Sequence, residues 1–411
     1  MRALVRAVLL VLLAIVSIIG SPLAAQRPID WSTKPVFLMT MGQGDAVFEK
    51  FGHNALVVWD DVMGQPLVYN WGMFDFAQPN FIGRFLTGDT KYWMEPATLE
   101  GTLAQYRQLN RTVTLQRVNL TPSQRAQLVE ALATNAREEN KYYRYDYYRD
   151  NCSTRVRDAL DAVTGGALRR AMQQQPGQAS YRWHTRRLLA YSAPLYLGGE
   201  LVLGVDADAP LSGWEEAFLP AFLADAMTRI ELPAADGLPA RLLTEAPDTL
   251  FRAAREPEPR TVAPQIATAA VVGLAIGTIL LGLVRLNRVG AAIALALWSL
   301  LSVVVGIVLL LAWFATQHVF MASNPSVALL NPVWAIGLVA AVMVWRGGVP
   351  RGVRSALRWL LVMAVVGTAG AVLSGHAVSA LEIAALVLPG HAAAVYASDR
   401  YRRVADAGMR R

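Results

Sequence analysis

Hydrophobic positions divide the chain into regimes. Beyond Val262 they form long runs, and residues 263–284, 289–314, 327–345, 359–373 and 377–397 read as membrane spans. The fourth is short and needs flanking residues to cross a hydrocarbon core of roughly 30 Å. An apolar run from Ala7 to Gly20 follows Arg2 and Arg6 and leads into Ser21-Pro22-Leu23-Ala24-Ala25-Gln26. Residues 1–25 thus read as a secretory signal or as an uncleaved anchor, since Leu23 is a poor residue three places before a cut after Ala25. No cysteine lies near that point, so the chain is not expected to be a lipoprotein itself. Residues 26–245 mix apolar and polar positions as one globular domain does, with enough chain for a sizeable core. Residues 246–262, rich in proline, acids and arginine, read as a linker, 263–403 as the bundle and 404–411 as a tail.

Shorter patterns place elements in the globular part. Phe51-Gly52-His53-Asn54-Ala55-Leu56-Val57-Val58-Trp59 reads as a strand entered through a glycine. Turn residues Asp60-Asp61 and Gly64-Gln65-Pro66 follow, then a second strand from Leu67 to Gly72. A hairpin closing near Met63 brings Asn70 to Gly72 opposite the neighbourhood of His53. Residues Arg155 to Leu168 read as a helix, which places Cys152 at or beside its start.

Charge then orients the molecule. The net charge is +7, and much of it is arginine at span ends. Arg285 and Arg288 follow the first span, Arg346, Arg351, Arg354 and Arg358 separate the third from the fourth, and Arg400, Arg402 and Arg403 follow the fifth. The connections 315–326 and 374–376 carry no lysine or arginine. By the positive-inside tendency the arginine clusters face the cytoplasm and the bare loops face out. Five spans then put the globular domain outside and the C-terminus in the cytoplasm, as the N-terminal signal independently requires. The basic balance therefore calls for no nucleic acid, although part of it is free to meet anionic lipid. No internal repeat, glycine-rich phosphate loop or metal-spaced His/Cys cluster is visible, so neither a metal nor another cofactor is expected.

Cys152 is the only cysteine, so it cannot form an internal disulfide. Two readings stand for it: a buried small hydrophobe, or a nucleophile whose thiolate the helix start stabilises. A nucleophile needs a base, and His53 is the candidate, with Asn70 or Asp75 orienting the imidazole. Against this stand a satisfied strand histidine, a strand-capping Asn70 and a turn-forming Asp75. Arg155 reads as a first-turn residue or as a holder of phosphate or carboxylate. The tyrosines from Tyr142 to Tyr148 read as packing around the helix or as a lipid-facing belt, as do Phe81, Phe85, Tyr92 and Trp93. Glu382, within the last span, reads as functional or as a partner of His376 or His318. His391 reads as structural and His184 as a surface residue.

The order His, polar residue, Cys reverses that of papain-like enzymes and resembles their circularly permuted branch, to which the lecithin:retinol acyltransferase-like and NlpC-related thiol enzymes belong. Phe51-Gly52-His53-Asn54-Ala55, Tyr69-Asn70-Trp71-Gly72-Met73-Phe74-Asp75-Phe76 and Tyr145-Asp146-Tyr147-Tyr148-Arg149-Asp150-Asn151-Cys152-Ser153-Thr154-Arg155 resemble the motifs of the Lnb-type lipoprotein N-acyltransferase family. Gln317-His318 through Asn324 to Asn331-Pro332 resembles the outward loop of that family's membrane domain. The resemblance implies an α+β fold: a permuted papain-like, NlpC-related periplasmic domain followed by a five-helix transmembrane bundle in a bacterial inner membrane. It implies Cys152, His53 and Asn70 as catalytic residues. Asp75, Arg155, Tyr148, Asn151, His318 and Asn324 are the candidates for substrate contact, with Asn331 beside them.

The implied chemistry moves a fatty acyl chain from membrane phospholipid, through a Cys152 thioester, to the α-amine of a diacylglyceryl-modified N-terminal cysteine. Its partners are phospholipid as donor and diacylated lipoproteins as acceptors. A peptidoglycan amidase or peptidase of the same thiol type is the alternative, and a non-catalytic scaffold binding lipids or lipoproteins is a second.

Overall fold

A computed structural model describes residues 29–233, 239–243 and 246–403. Residues 1–25, read above as a signal or anchor, and 404–411, read as a tail, lie outside the described residues. Strands β1 (Val36–Met41), β2 (His53–Asp60), β3 (Gln65–Met73), β4 (Lys91–Thr98), β5 (Val113–Val118) and β6 (Tyr142–Arg144) form most of one antiparallel sheet. A two-stranded ribbon, β7 (Glu231–Pro233) with β8 (Pro239–Arg241), stands apart, and β9 (Asp248–Phe251) completes the sheet in the order β6-β4-β3-β2-β1-β5-β9. The β2–β3 hairpin forms as its pattern predicts, with Ala55 opposite Asn70 and Asp60 opposite Gln65.

Helices α1 (Phe81–Thr87), α2 (Leu99–Gln108), α3 (Pro122–Asn135) and α4 (Cys152–Val163) surround this sheet. Alternate residues of the central strands serve opposite faces. Leu38, Leu56, Val58 and Tyr69 pack with Leu128 and Leu132 of α3 and Val156 and Leu160 of α4. Met39, Ala55, Val57 and Val68 pack with Leu99, Leu103 and Tyr106 of α2. A strand covered on both faces reads as a continuous apolar run, which is why 54–59 lacks simple alternation. The helix expected over 155–168 instead begins at Cys152 and ends at Val163. Gly165 and Gly166 stop it with positive φ, and α5 (Ala167–Gln173) follows separately.

Two other expectations are corrected. Asp248–Phe251, inside the stretch read as linker, pairs with β5, where Val113 faces Phe251 and Leu115 faces Asp248. Four residues are enough to satisfy that strand's open hydrogen-bonding edge, despite the proline and acid content around them. His184 is buried rather than at the surface. It lies on α6 (Tyr181–Leu189); its Nε2 meets Glu216 Oε1 at 2.5 Å and its Nδ1 accepts from Arg187 Nε at 2.9 Å. With both ring nitrogens satisfied, burial carries little cost.

The chain continues through α7 (Ala193–Val202), α8 (Gly213–Glu216) and α9 (Pro220–Arg229) into the bundle: α10 (Ile266–Leu286), α11 (Arg288–Phe314), α12 (Ala335–Arg346), α13 (Arg351–Leu373) and α14 (Ala377–Arg400). Five segments are long and apolar enough to cross a membrane. The third is a composite. Three short 3-10 turns between Val319 and Trp334 precede α12, and Asn324 and Asn331, each followed by a proline, cap two of them. The fourth gains the length it needed by starting at Arg351.

Domain and bundle interlock through buried polar contacts. Arg186 holds Glu200 through two bonds of 2.7 Å and reaches Ser379 Oγ at 3.0 Å. Tyr196 donates its hydroxyl hydrogen to Glu382 at 2.9 Å, and His376 pairs with Asp208 at 2.8 Å. Glu382 also accepts from the Gln265 amide at 2.5 Å, so its partners are Tyr196 and Gln265 rather than His376 or His318. His391 is structural as expected: it stacks on Trp334 at 3.9 Å and accepts from Trp298 Nε1 at 2.9 Å.

Candidate active site

One end of the sheet gathers the catalytic candidates. His53 opens β2, beside Met41 at the end of β1, and Asn70 lies on the neighbouring β3. Their side chains meet, His53 Nε2 to Asn70 Oδ1, at 3.1 Å. Asn70 Nδ2 donates to Val68 O at 3.2 Å, which turns Oδ1 toward the ring. An amide oxygen only accepts, so Nε2 carries the ring proton and Nδ1 keeps a free lone pair. That is the tautomer a general base needs.

Cys152 is the first residue of α4, and α4 packs on β2 and β3. Its helix start is built by Asn151. The Asn151 side-chain oxygen accepts from Ser153 N at 2.9 Å and Thr154 N at 3.0 Å, while Thr154 Oγ1 accepts from Asn151 N at 2.8 Å. Ser153 Oγ bonds Asn54 Oδ1 at 3.0 Å and the Ala217 carbonyl at 2.7 Å, tying α4 to the residue after His53. The backbone N–H groups of Asn54 and Ser153 act on the Cys152 sulfur. Gly72 lies against the thiol. Its φ of +89° suits glycine, and a Cβ there would lie 3.7 Å from Cys152 Cβ and 3.6 Å from the Tyr145 ring.

Electrostatics correct the expectation of a thiolate poised by the helix start. Burial pushes the Cys152 thiol above its ordinary value, against opposing pulls from the Asn54 and Ser153 amides and from Arg111. Burial, helped by Arg111, lowers His53 from 6.5 to about 4, and the Asn70 bond opposes this only in part. Burial also raises the neighbouring Tyr92 and Tyr106 hydroxyls to about 12. Desolvation disfavours the charged form of each group, so the resting pair is neutral thiol and neutral imidazole.

Arg111 is a site residue that sequence reasoning missed. It is buried, gives Nε to Gly42 O at 2.9 Å and Nη1 to Glu49 Oε1 at 3.2 Å, and keeps Nη2 without a partner. Its one sequence signal is a charge two places before the apolar strand Val113–Val118. Asn54 and Ser153 were missed too, though both flank predicted residues.

The remaining candidates are placed as follows. Asp75 is exposed, and its carboxylate accepts from Ala77 N at 2.8 Å within its own turn. Asn151 spends its side chain on the helix start and on the carbonyls of Tyr147 and Phe218, both at 3.0 Å. Arg155 forms an ion pair with Asp150 and lies over the Tyr143 ring at 4.1 Å. Tyr148 is buried, bonded to Thr185 at 2.5 Å and stacked on Tyr181 at 4.4 Å. Asn324 is buried and clasps α7, giving Nδ2 to Leu201 O at 2.8 Å and Val202 O at 3.0 Å. Asn331 uses its side chain on Val327 and Val333 of the same loop. His318 bonds the Phe85 carbonyl at 2.9 Å, joining the outward loop to α1. The structure thus joins His53 to Asn70 and sets the Asn54 amide on the Cys152 sulfur, while the other candidates hold partners of their own. Among the described residues no His/Cys/Asp/Glu group is arranged to hold a metal ion.

A thiol at a helix start, a histidine and an amide on adjacent strands, and five apolar spans define a permuted papain-like thiol domain carried on a membrane bundle. Residues 24–191 match the Lnb N-terminal periplasmic domain and residues 256–393 match the Lnb transmembrane domain. The chain belongs to the Lnb family, as a multi-pass inner-membrane protein with a periplasmic N-terminal domain. Neither a curated protein nor a solved structure matches it.

Proposed function

We propose that the protein transfers an acyl chain from phospholipid to the N-terminal amine of diacylated lipoproteins, with Cys152 as nucleophile, His53 as base and Asn70 as the group that orients it. The observation that carries this reading is the His53–Asn70 bond at 3.1 Å, made beside a thiol whose sulfur receives the amide of Asn54, the residue next to His53. His53 Nδ1 takes the thiol proton as the sulfur attacks the ester carbonyl of a phospholipid. The tetrahedral intermediate collapses to a thioester and the lysophospholipid alcohol, which receives that proton from His53. The lipoprotein α-amine then attacks the thioester, passes a proton to His53 and leaves as the amide, and the thiol is restored. Backbone N–H groups at the start of α4 are the donors for the oxyanion.

Two observations support this reading. Burial holds His53 at about 4, so at neutral pH its imidazole is uncharged and free to take a proton. The domain is also locked to the bundle through Arg186, Tyr196 and Asn324, an arrangement suited to substrates that never leave the membrane. The C-terminus is assigned to the cytoplasm on the arginine distribution.

The test mixes full-length protein in nanodiscs with phospholipid and a synthetic diacylated lipopeptide bearing a free α-amine, and follows both by mass spectrometry. An acyl group gained by the peptide, absent with Cys152→Ser, is the expected result. Cleavage of a peptidoglycan peptide instead, with lipid untouched, would replace this reading by the amidase alternative.

A further inference from the structure

The face of the periplasmic domain beside the site is apolar and uncovered. Ile82 and Leu86 of α1 are 72% and 63% exposed, Phe76 is 68% exposed, and Phe48 and Phe85 are exposed beside them. This face is continuous with the membrane boundary. Helix α11 ends at Phe314, exposed and stacked on Trp313 at 4.9 Å, as in an interfacial aromatic belt. The next residues dock on α1: Gln317 N donates to Thr87 O at 2.8 Å, and His318 bonds Phe85 O at 2.9 Å. Gly88 permits that approach, since a Cβ there would meet Gln317 at 3.2 Å and its φ is +75°. A second chain contact, Arg144 to Gln317, lies on the same loop.

From this face an unbroken row of rings runs to the nucleophile. Phe85 stacks on Phe81 at 6.2 Å, Phe81 on Phe74 at 5.8 Å, Phe74 on Tyr92 at 5.0 Å and Tyr92 on Tyr145 at 4.4 Å. Tyr145 and Cys152 then flank Gly72. Phe48 and Phe76 close on Phe74 edge-on, at 5.4 Å and 5.1 Å.

We infer that α1 and its flanking phenylalanines are seated in the outward leaflet, and that the ring row from Phe85 to Tyr145 leads a phospholipid acyl chain to Cys152. The seating stands on geometry alone; the guidance rests on the acyltransferase reading above. Tethering by the 315–318 loop holds α1 at the depth where a span ends, and apolar side chains at that depth favour lipid over water. Aromatic faces offer an acyl chain contact without asking for polar partners.

Depth is measured on full-length protein in nanodiscs, with Ile82→Cys in a Cys152→Ser background carrying an environment-sensitive fluorophore. Lipids with nitroxides on their acyl chains are expected to quench it, but not the same label at Val62, which is 95% exposed in the β2–β3 turn at the far end of the sheet. Equal, weak quenching at both positions would overturn the seating. For guidance, the double variant Ile82→Asp with Leu86→Asp is compared on two donors. It is expected to lose at least about tenfold more turnover with bilayer phospholipid than with a water-soluble short-chain p-nitrophenyl ester. Equal losses with the two donors would overturn the guidance role. If wild type takes the soluble ester but no phospholipid while Ile82 is quenched, the acyltransferase reading fails and the seating stands.

Discussion

The neutral resting pair makes a quantitative prediction. Burial pushes the Cys152 thiol up and holds His53 at about 4, so both groups resist charging. At pH 7 only about one His53 imidazole in a thousand then carries a second proton. Single-turnover acylation of Cys152, followed by intact mass across pH, should therefore show its acid limb near 4 and no inflection near 6.5. Alkylation by iodoacetamide should climb steadily between about pH 6 and 9, as a neutral thiol requires. Asn70→Ala removes the one bond that supports the protonated ring, so its acid limb moves lower still, and loss of orientation slows acylation by roughly 10²-fold. Alkylation that is fast and flat from about pH 6 to 8 would show a resting ion pair and refute this reasoning.

Stability carries the same signature. Because folding depresses His53, unfolded chains bind its proton first; stability is intact above 6.5 and falls as pH drops toward 4, by at most about 3 kcal/mol for this group. Chemical denaturation at pH 7 and 4.5 with wild type and His53→Gln reads the difference, which should shrink in the variant. Asn151→Ala strips the start of α4 of its cap and leaves the Tyr147 and Phe218 carbonyls without their donor, so a loss of about 2 kcal/mol is expected in the same assay, together with slower Cys152 acylation. Glu200→Ala leaves the half-buried Arg186 without its carboxylate at the domain–bundle junction; a loss of about 1–3 kcal/mol should appear as a lower melting temperature in detergent.

Much of this architecture is legible in residue patterns, and the exceptions share a cause. Long apolar runs announced the spans because a helix in lipid must satisfy its backbone internally, which leaves composition as the signal. The hairpin was legible because Asp60-Asp61 and Gly64-Gln65-Pro66 set its turn, and its register then carried Asn70 to His53. Asp75 competed with Asn70 in sequence, and only the register separates them. What was not legible depends on partners far along the chain. His184 is buried because Glu216 and Arg187 answer its two nitrogens. Arg111 reaches the site from the far side of β1, and Asp248–Phe251 is a strand because β5 leaves an edge open.

The thiol is the most instructive of these cases. A helix start argues for a lowered pKa, and that influence is present in the amides of Asn54 and Ser153, yet burial between α4, the sheet and Tyr145 outweighs it. The sequence shows the helix start and conceals the burial. A surface thiol enzyme gains from a standing thiolate, since its attack on a soluble substrate then needs no proton transfer. On the proposed acyl transfer, a thiol that holds an acyl group until a lipid-anchored amine arrives is served by the opposite choice. Burial holds His53 at about 4, so at neutral pH its imidazole is uncharged, the form that accepts the amine's proton. The slower attack on lipid that this implies is offset if the acyl chain arrives already aligned, which is the service a row of rings from the leaflet to Cys152 would perform.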